Sequence, residues 1–176
     1  MSINMFKNGI KKGRVTTKLE STGAALPPEI EQPGRDLKEM IHARFGRSFH
    51  IREVDTGSCG ACESEIIACS NPLYDIQRFG IDFVASPRHA DALLVTGPVS
   101  KNMELALKKT YEAMPRTKFV ITLGSCAKGG GIFKDSYYIC GGAEKVLPVT
   151  LHIPGCPPSP TTIILTLLSF LRGPSV

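Results

Sequence analysis

Three loops of this chain combine cysteine with glycine or proline, and each loop follows a segment with the pattern of a strand. The loops contain Cys59 and Cys62, Cys126, and Cys156. Phe49 and Ile51 alternate with polar residues, which predicts a strand over residues 49–55. The short apolar runs at residues 119–123 and 146–153 are typical of strands buried inside a sheet. Because ligands of open α/β sheets bind in the loops at the carboxyl ends of the strands, we expect the cysteines to meet at one site.

Helical patterns separate these strands. Two further apolar runs, residues 81–85 and 92–96, also predict buried strands. The sequence predicts helices over residues 36–45, 63–70, 100–114 and 161–171. The signals are the spacing of apolar residues, a capping residue such as Ser100, and a Gly or Pro that follows the helix. Strands that alternate with helices predict βαβ units, and thus an α/β fold with a mostly parallel sheet.

The first 34 residues differ from the rest of the chain. They are rich in Gly, Pro, Ser, Thr and Lys and keep no helical or strand period, so we interpret residues 1–34 as an extended arm. Residues 35–176 are interpreted as a single domain, since a chain of 176 residues holds one domain or slightly more.

The net charge of +5 comes from the first 18 residues of this arm. They hold Lys7, Lys11, Lys12, Arg14 and Lys18 and no acidic residue, whereas the basic and acidic residues in the rest of the chain balance. A basic arm suits an anionic lipid surface or an acidic partner, and a solvated tail is the alternative. No nucleic-acid-binding motif accompanies it, so nucleic acid is not expected as a partner.

Composition and hydropathy favour a cytoplasmic globular protein. Hydrophobic residues make up 42% and charged residues 21% of the chain. No apolar segment follows the N-terminal charges, as a secretory signal would require. The longest apolar stretch, Pro160–Leu171, is shorter than the roughly 20 residues of a membrane span. In a reducing compartment, the six cysteines favour metal or redox chemistry over disulfide bonds.

The cysteine spacing favours an iron–sulfur cluster. Cys59 and Cys62 form one Cys-x2-Cys pair, whereas Cys126 and Cys156 stand alone. Structural zinc sites usually join two such pairs, while four thiolates are the usual ligands of a [4Fe–4S] cluster. Glycines in the loops let backbone amides approach such a group closely. A zinc site with four cysteine ligands is the alternative.

The other two cysteines lack this setting. Cys69 lies on a predicted helix and Cys140 precedes two glycines. Free cysteine packs like a small hydrophobic residue, so we expect both in the core.

Four segments carry a resemblance to a known family. They are GSCGACESEI (57–66), RFGIDFVASPRHADALLVTGPV (78–99), GSCAKGGGIF (124–133) and IPGCPPSP (153–160). Over about residues 48–172 the chain resembles the small electron-transfer subunit of membrane-bound, energy-converting [NiFe] hydrogenases of the formate hydrogenlyase type. That family is related to the 20 kDa cluster subunit of respiratory complex I. The complex I subunit has two adjacent cysteines in its first motif, whereas this chain has Cys-x-x-Cys, as the hydrogenase branch has.

The resemblance implies a flavodoxin-like α/β fold, with helices on both faces of the sheet, and one [4Fe–4S] cluster. The family pattern places the cluster ligands at Cys59, Cys62, Cys126 and Cys156. The implied function is that of an oxidoreductase subunit that is not active alone. Its proximal cluster would relay electrons between a ferredoxin-like two-cluster subunit and the nickel–iron site of a large subunit. Hydrogen evolution or oxidation would be coupled to ion translocation.

The resemblance also implies a place in the cell and an alternative. Integral-membrane subunits would hold the complex, with this chain peripheral on the cytoplasmic face of the cell membrane. The alternative is a complex-I-like subunit of an NADH/quinone oxidoreductase that passes electrons to quinone.

Two titratable residues are candidates for proton transfer. Glu63 directly follows Cys62, where the family motif has an acid, although a carboxylate at a helix start is also favoured by the helix dipole. His89 lies between two predicted strands and could serve a proton path. The alternative for His89 is a loop histidine bonded to the backbone.

Overall fold

A computed structural model describes residues 28–115 and 118–173 and contains a five-stranded sheet in the order β2-β1-β3-β5-β7. All pairs of neighbouring strands in it are parallel. This order is the flavodoxin-like one, in which the chain adds strands first on one side of β1 and then on the other. The predicted α/β fold is therefore confirmed. The strands are β1 (Phe49–Asp55), β2 (Ile81–Phe83), β3 (Ala92–Thr96), β4 (Val99–Ser100), β5 (Phe119–Leu123), β6 (Ile139–Gly141) and β7 (Leu151–Ile153), of which β4 and β6 form a separate antiparallel pair.

Helices cover both faces of the sheet. They are α1 (Pro28–Phe45), α2 (Ala61–Cys69), α3 (Lys101–Ala113), α4 (Gly124–Gly129) and α5 (Pro160–Arg172). Successive residues of a strand point to opposite faces, so Leu93 and Leu94 belong to different cores. Helices α1, α2 and α5 pack on the core that contains Leu94, and α3 packs on the core that contains Leu93.

Helix α1 begins eight residues before the helix that the sequence predicts. The prediction of an extended arm over residues 1–34 is wrong for residues 28–34, which are helical, and the first 27 residues lie outside the described part of the chain. Buried Ile30, Leu37 and Ile41 place one face of α1 on the core. Gly34 lies on the same face, where a Cβ atom would stand 2.3 Å from the ring of Phe79. Tertiary packing thus stabilises a segment whose Pro and Gly argue against a helix.

The last strand is shorter than predicted. Residues 146–153 were expected to form it, but only Leu151–Ile153 is paired in the sheet. The amides of Val146 and Leu147 donate to the carbonyl of Ala143 and form a turn there. Ala143 and Leu147 are buried in the core under α3, so this apolar run belongs to a turn that packs on the sheet.

Ser100 precedes α3 as predicted, but its side chain makes no capping hydrogen bond. In the described residues, no helix combines the length and the apolar character needed to span a bilayer.

Candidate functional site

The cysteines of the three loops line one cavity at the carboxyl edge of the sheet. Cys59 and Cys62 follow β1, Cys126 lies in α4 after β5, and Cys156 follows β7. Gly97, in the loop after β3, contributes to the same wall. Strand order reverses between β1 and β3, and open α/β sheets bind ligands at such a switch point. The structure thus brings together the side chains that the sequence predicted to meet.

The first loop is shaped by its own polar side chains. One carboxylate oxygen of Asp55 accepts hydrogen bonds from the amides of Gly57 and Ser58, at 2.8 and 2.7 Å. The hydroxyl of Ser58 accepts from the amide of Gly60 at 3.1 Å. Gly97 has a φ of +70°, and a Cβ atom there would lie 2.5 Å from the amide nitrogen of Ser58. Only glycine therefore lets the β3 loop close on the first cysteine loop.

The second and third loops are bonded to each other. The amide and the hydroxyl of Ser125 both donate to the carbonyl of Gly155, at 2.9 and 3.1 Å. Gly124 has a φ of +85°, and a Cβ atom there would lie 2.9 Å from the Sγ of Cys62. The backbone before Cys126 thus lies so close to the thiol of Cys62 that a side chain at position 124 would displace this thiol.

The thiols act on one another electrostatically. The pKa of Cys62 is raised to about 11, mainly by burial and in smaller part by the neighbouring Glu63, Cys59, Cys126 and Cys156. Burial also raises the pKa of Cys126, with Cys156 as the second cause. A bound metal ion reverses this effect, because its positive charge deprotonates a coordinating thiol.

The donor set fits an iron–sulfur cluster. Among residues 28–115 and 118–173, no three His, Cys, Asp or Glu side chains converge on the position of a single metal ion. The thiols instead surround a common space walled by close-packed backbone at Gly97 and Gly155. Four thiolates around a common space fit a [4Fe–4S] cluster, in which each iron binds one of them. Their role as ligands stays a prediction at this point.

The remaining cysteines stand apart from this cavity. Cys69 is fully buried, and burial raises its pKa to about 12, so its predicted place in the core is confirmed. Cys140 is half-buried against the core under α3, and its thiol donates to a carboxylate oxygen of Glu104 at 3.4 Å.

Glu63 lies in the first turn of α2 beside a second cavity. Neither of its carboxylate oxygens is accessible to solvent or has a hydrogen-bond partner among the described residues. Arg52 and Glu53 on β1 line the same cavity. The sequence pattern did not single them out, because polar residues within a strand carry no signal of a shared cavity. Burial raises the pKa of Glu53, although a hydrogen bond from Thr96 opposes the rise.

His89 does not lie at the cysteine edge. It stands just before β3, at the amino end of the parallel strands, and its carbonyl lies 3.1 Å from the Nδ1 of His50. Asp91 nearby receives two hydrogen bonds of 2.8 Å from Arg47. The loop of His89 therefore lies at the edge of the sheet opposite the cysteine cavity.

The sequence matches one family model over residues 59–170. The model is described as the 20 kDa subunit of NADH ubiquinone oxidoreductase. The match begins at the first cysteine of the cavity and ends inside α5, so it includes all three cysteine loops.

Two curated relatives are subunits of hydrogen-metabolising complexes by name. The chain is 39% identical over 145 residues to formate hydrogenlyase subunit 7 of Escherichia coli (strain K12), covering 82% of this chain and 57% of that protein. The chain thus spans little more than half the length of that relative. It is 45% identical over 120 residues to a protein of Pyrococcus furiosus named "Probable membrane-bound hydrogenase subunit mbhJ", covering 68% of this chain and 72% of that protein.

Two solved structures share the fold. A chain of the membrane-bound sulfane sulfur reductase, an archaeal respiratory membrane complex, is 32% identical with a TM-score of 0.64, covering 77% of this chain and 74% of that one. A chain of the [NiFeSe]-hydrogenase of Dm. baculatum is 16% identical with a TM-score of 0.50, covering 70% and 62% respectively. The second likeness concerns the fold alone.

Proposed function

Because the chain belongs to the family of the 20 kDa subunit of NADH ubiquinone oxidoreductase, we propose that it carries one [4Fe–4S] cluster. Its similarity to a formate hydrogenlyase subunit and to a membrane-bound hydrogenase subunit indicates the kind of complex. The cluster would be the proximal relay of a membrane-associated [NiFe] hydrogenase complex. The chain would serve as an electron-transfer subunit and would not turn over substrate alone.

One observation carries this proposal. Three loops that are distant in sequence bring Cys59, Cys62, Cys126 and Cys156 to one cavity at the switch point of the sheet. These four thiolates would hold the cluster, which accepts and gives one electron at a time. The close approach of backbone at Gly97 and Gly124 supports a bulky group that needs small residues around it.

The protein's own groups would tune the cluster. Solvent exposure, net charge and hydrogen bonds to the sulfurs set the reduction potential of such a group. Lys128 lies close to Cys126 in sequence but lines a neighbouring cavity with Glu144 and His152. A positive charge outside the lining of the cysteine cavity supports the low potential that hydrogen chemistry requires.

The surface around the cavity supports a place inside a complex. Cys59 and Cys156 are exposed in the isolated chain. Ile132 and Tyr137, which follow the Cys126 helix, are 85% and 87% exposed. Exposed large hydrophobic side chains in a cluster mark interaction sites. The proposed partners are a large subunit with the nickel–iron site, a ferredoxin-like two-cluster subunit and integral-membrane subunits, on the cytoplasmic face of the membrane.

Proton transfer by Glu63 is part of the same proposal. Its carboxyl group is buried, and Glu63 directly follows Cys62, one of the four proposed ligands. A proton-carrying group at that place would lie between the cluster and the large subunit.

A second candidate function uses the same cluster. The description of the family model favours a complex-I-like subunit that passes electrons to quinone. The composition of the large subunit distinguishes the two candidates, because nickel is bound only in a hydrogenase.

The test is metal and sulfide analysis of the native complex, purified anaerobically through a tag on this chain. We expect iron, acid-labile sulfide and about one nickel per complex, and a cluster signal in electron paramagnetic resonance after reduction with hydrogen. Iron and sulfide without nickel would reject the hydrogenase and support the quinone candidate. Zinc without sulfide would overturn the cluster itself.

A further inference from the structure

A second cavity opens beside the cysteine site. Its volume is about 330 Å³, and it lies between α2 and the ends of β1 and β2. Glu63 enters it from α2, Arg52 and Glu53 from β1, and Phe83 and Ile67 add apolar wall. A cavity of this size has room for a large side chain, since one water occupies about 30 Å³.

The carboxyl groups of Glu53 and Glu63 in this cavity differ in their hydrogen-bond partners. The hydroxyl of Thr96 donates to Glu53 at 3.1 Å, and the positive charge of Arg52 acts on the same carboxyl group. Both side-chain oxygens of Glu63 are buried without a hydrogen-bond partner among the described residues. A buried polar group without a hydrogen bond costs free energy, so a donor supplied by another chain would stabilise this point. The Nε of Arg52 also lacks a partner within residues 28–115 and 118–173, so it offers a donor in return.

The rim of the cavity is apolar. Ile67 lines it and is 72% exposed, although it lies on a helix whose neighbouring Ile66 is buried. A partner segment that covered Ile67 would bury its apolar surface and would also reach the unpartnered oxygens of Glu63.

We infer that this cavity receives an arginine side chain from a segment of the large subunit that packs on Ile67. A guanidinium group donates two parallel hydrogen bonds, which matches the two unpartnered oxygens of Glu63. A carbonyl group of the same segment would accept from the Nε of Arg52. The inference rests on the proposed function only in that the chain works inside a complex. It replaces proton transfer as the role of Glu63, because a carboxylate that accepts both guanidinium hydrogen bonds carries no proton.

The experiment compares tagged variants of the chain in the native complex. Glu63→Gln removes the charge and keeps the shape, and Ile67→Arg places a like charge and a bulky side chain at the rim. The matched controls are Glu65→Gln on the same helix and Leu105→Arg, since Leu105 is also exposed, at 60%, but lies on α3. Retention of the partner subunits on the tag is measured at increasing salt, together with iron and sulfide.

We expect both variants to weaken partner retention at least about tenfold. Glu63→Gln leaves the partner's guanidinium without its carboxylate, and Ile67→Arg repels that guanidinium and blocks the segment at the rim. Both controls should retain the partners within about twofold, as changes away from a contact do. Cross-linking through a photoreactive residue in place of Ile67 should capture a partner peptide that contains arginine.

Wild-type retention by both test variants would overturn the inference and would mean that water satisfies Glu63. If Glu63→Gln loses iron, retention of the partner by the Ile67→Arg variant becomes the test of the inference. Position 67 is exposed and does not line the cysteine cavity, so this variant should keep its iron. A wild-type complex without iron and sulfide would reject the proposed function and leave the retention comparison valid.

Discussion

Cys156 and Cys140 are both partly accessible thiols, but only Cys156 lines the cysteine cavity. We therefore predict that Cys156→Ala loses the cluster, with iron falling from about four per chain towards zero, because a [4Fe–4S] cluster needs four thiolates. Cys140→Ala should keep its iron. Iron, sulfide and visible absorbance of the anaerobically purified variants check this, and equal iron in both would remove Cys156 from the ligand set.

A single methyl group tests the close approach at Gly124. In Gly124→Ala the new Cβ atom meets the Sγ of Cys62, and the left-handed backbone adds strain of about 1–2 kcal/mol. We expect lower cluster occupancy as well as lower stability. Gly46→Ala has the same backbone strain at a φ of +66° with no atom within 4 Å, so it should lose stability and keep full iron. If both variants lost iron, the loss would result from backbone strain and not from the contact with the Sγ of Cys62.

The buried thiol of Cys69 predicts an alkaline pH dependence of stability. Its pKa is raised from 9.0 to about 12 by burial, so between these values the folded chain keeps a proton that the unfolded chain has lost. The free energy of unfolding should therefore fall as the pH rises from 9 towards 12. Denaturant titrations should show a shallower fall for Cys69→Ala, and identical slopes for both proteins would contradict the prediction.

At the scale of elements, α1 shows how packing overrides local preference. Alanine normally favours a helix over glycine by up to about 1 kcal/mol. Gly34→Ala should nevertheless destabilise the chain by about 1–3 kcal/mol, because the new Cβ atom would overlap the ring of Phe79. Denaturant unfolding measures the change.

The double variant Gly34→Ala/Phe79→Leu provides the control for α1. Removing the ring makes room for the methyl group, so part of the loss should be recovered relative to Phe79→Leu alone. If Gly34→Ala stabilises the protein in the presence of Phe79, this part of α1 does not pack as described.

The sheet topology positions the site at the scale of the whole molecule. Parallel strands place the loops of Cys59, Cys126 and Cys156 at one edge, while His89 and Asp91 lie at the other. The charge of the whole chain is also asymmetric, since the excess of basic residues precedes residue 19.

This asymmetry predicts binding to an anionic membrane surface. A basic residue near such a surface contributes about 1 kcal/mol, so replacing Lys7, Lys11, Lys12, Arg14 and Lys18 by Gln should abolish binding to vesicles that contain phosphatidylserine. Vesicle sedimentation at low and high salt measures this, with neutral vesicles as the control. Unchanged binding of the variant would show that the arm is a solvated tail.

The amino-acid sequence by itself determined the fold class and the candidate ligands. The spacing of apolar residues and the position of turn residues are local properties of the sequence. The strands at residues 92–96 and 119–123 were therefore predicted with correct bounds. The rule that parallel strands present their loops at one edge then brought Cys59, Cys62, Cys126 and Cys156 together.

Only the tertiary structure decided the start of α1, the short β7 and the second cavity. Ile30 and Leu147 are buried by residues far away in sequence, so their local patterns gave the wrong element bounds. Arg52, Glu53 and Glu63 meet because α2 folds back beside β1, and the unmatched carboxylate of Glu63 exists only in that arrangement. A charge without a partner is a property of three-dimensional surroundings, which no pattern of residues along the chain can show.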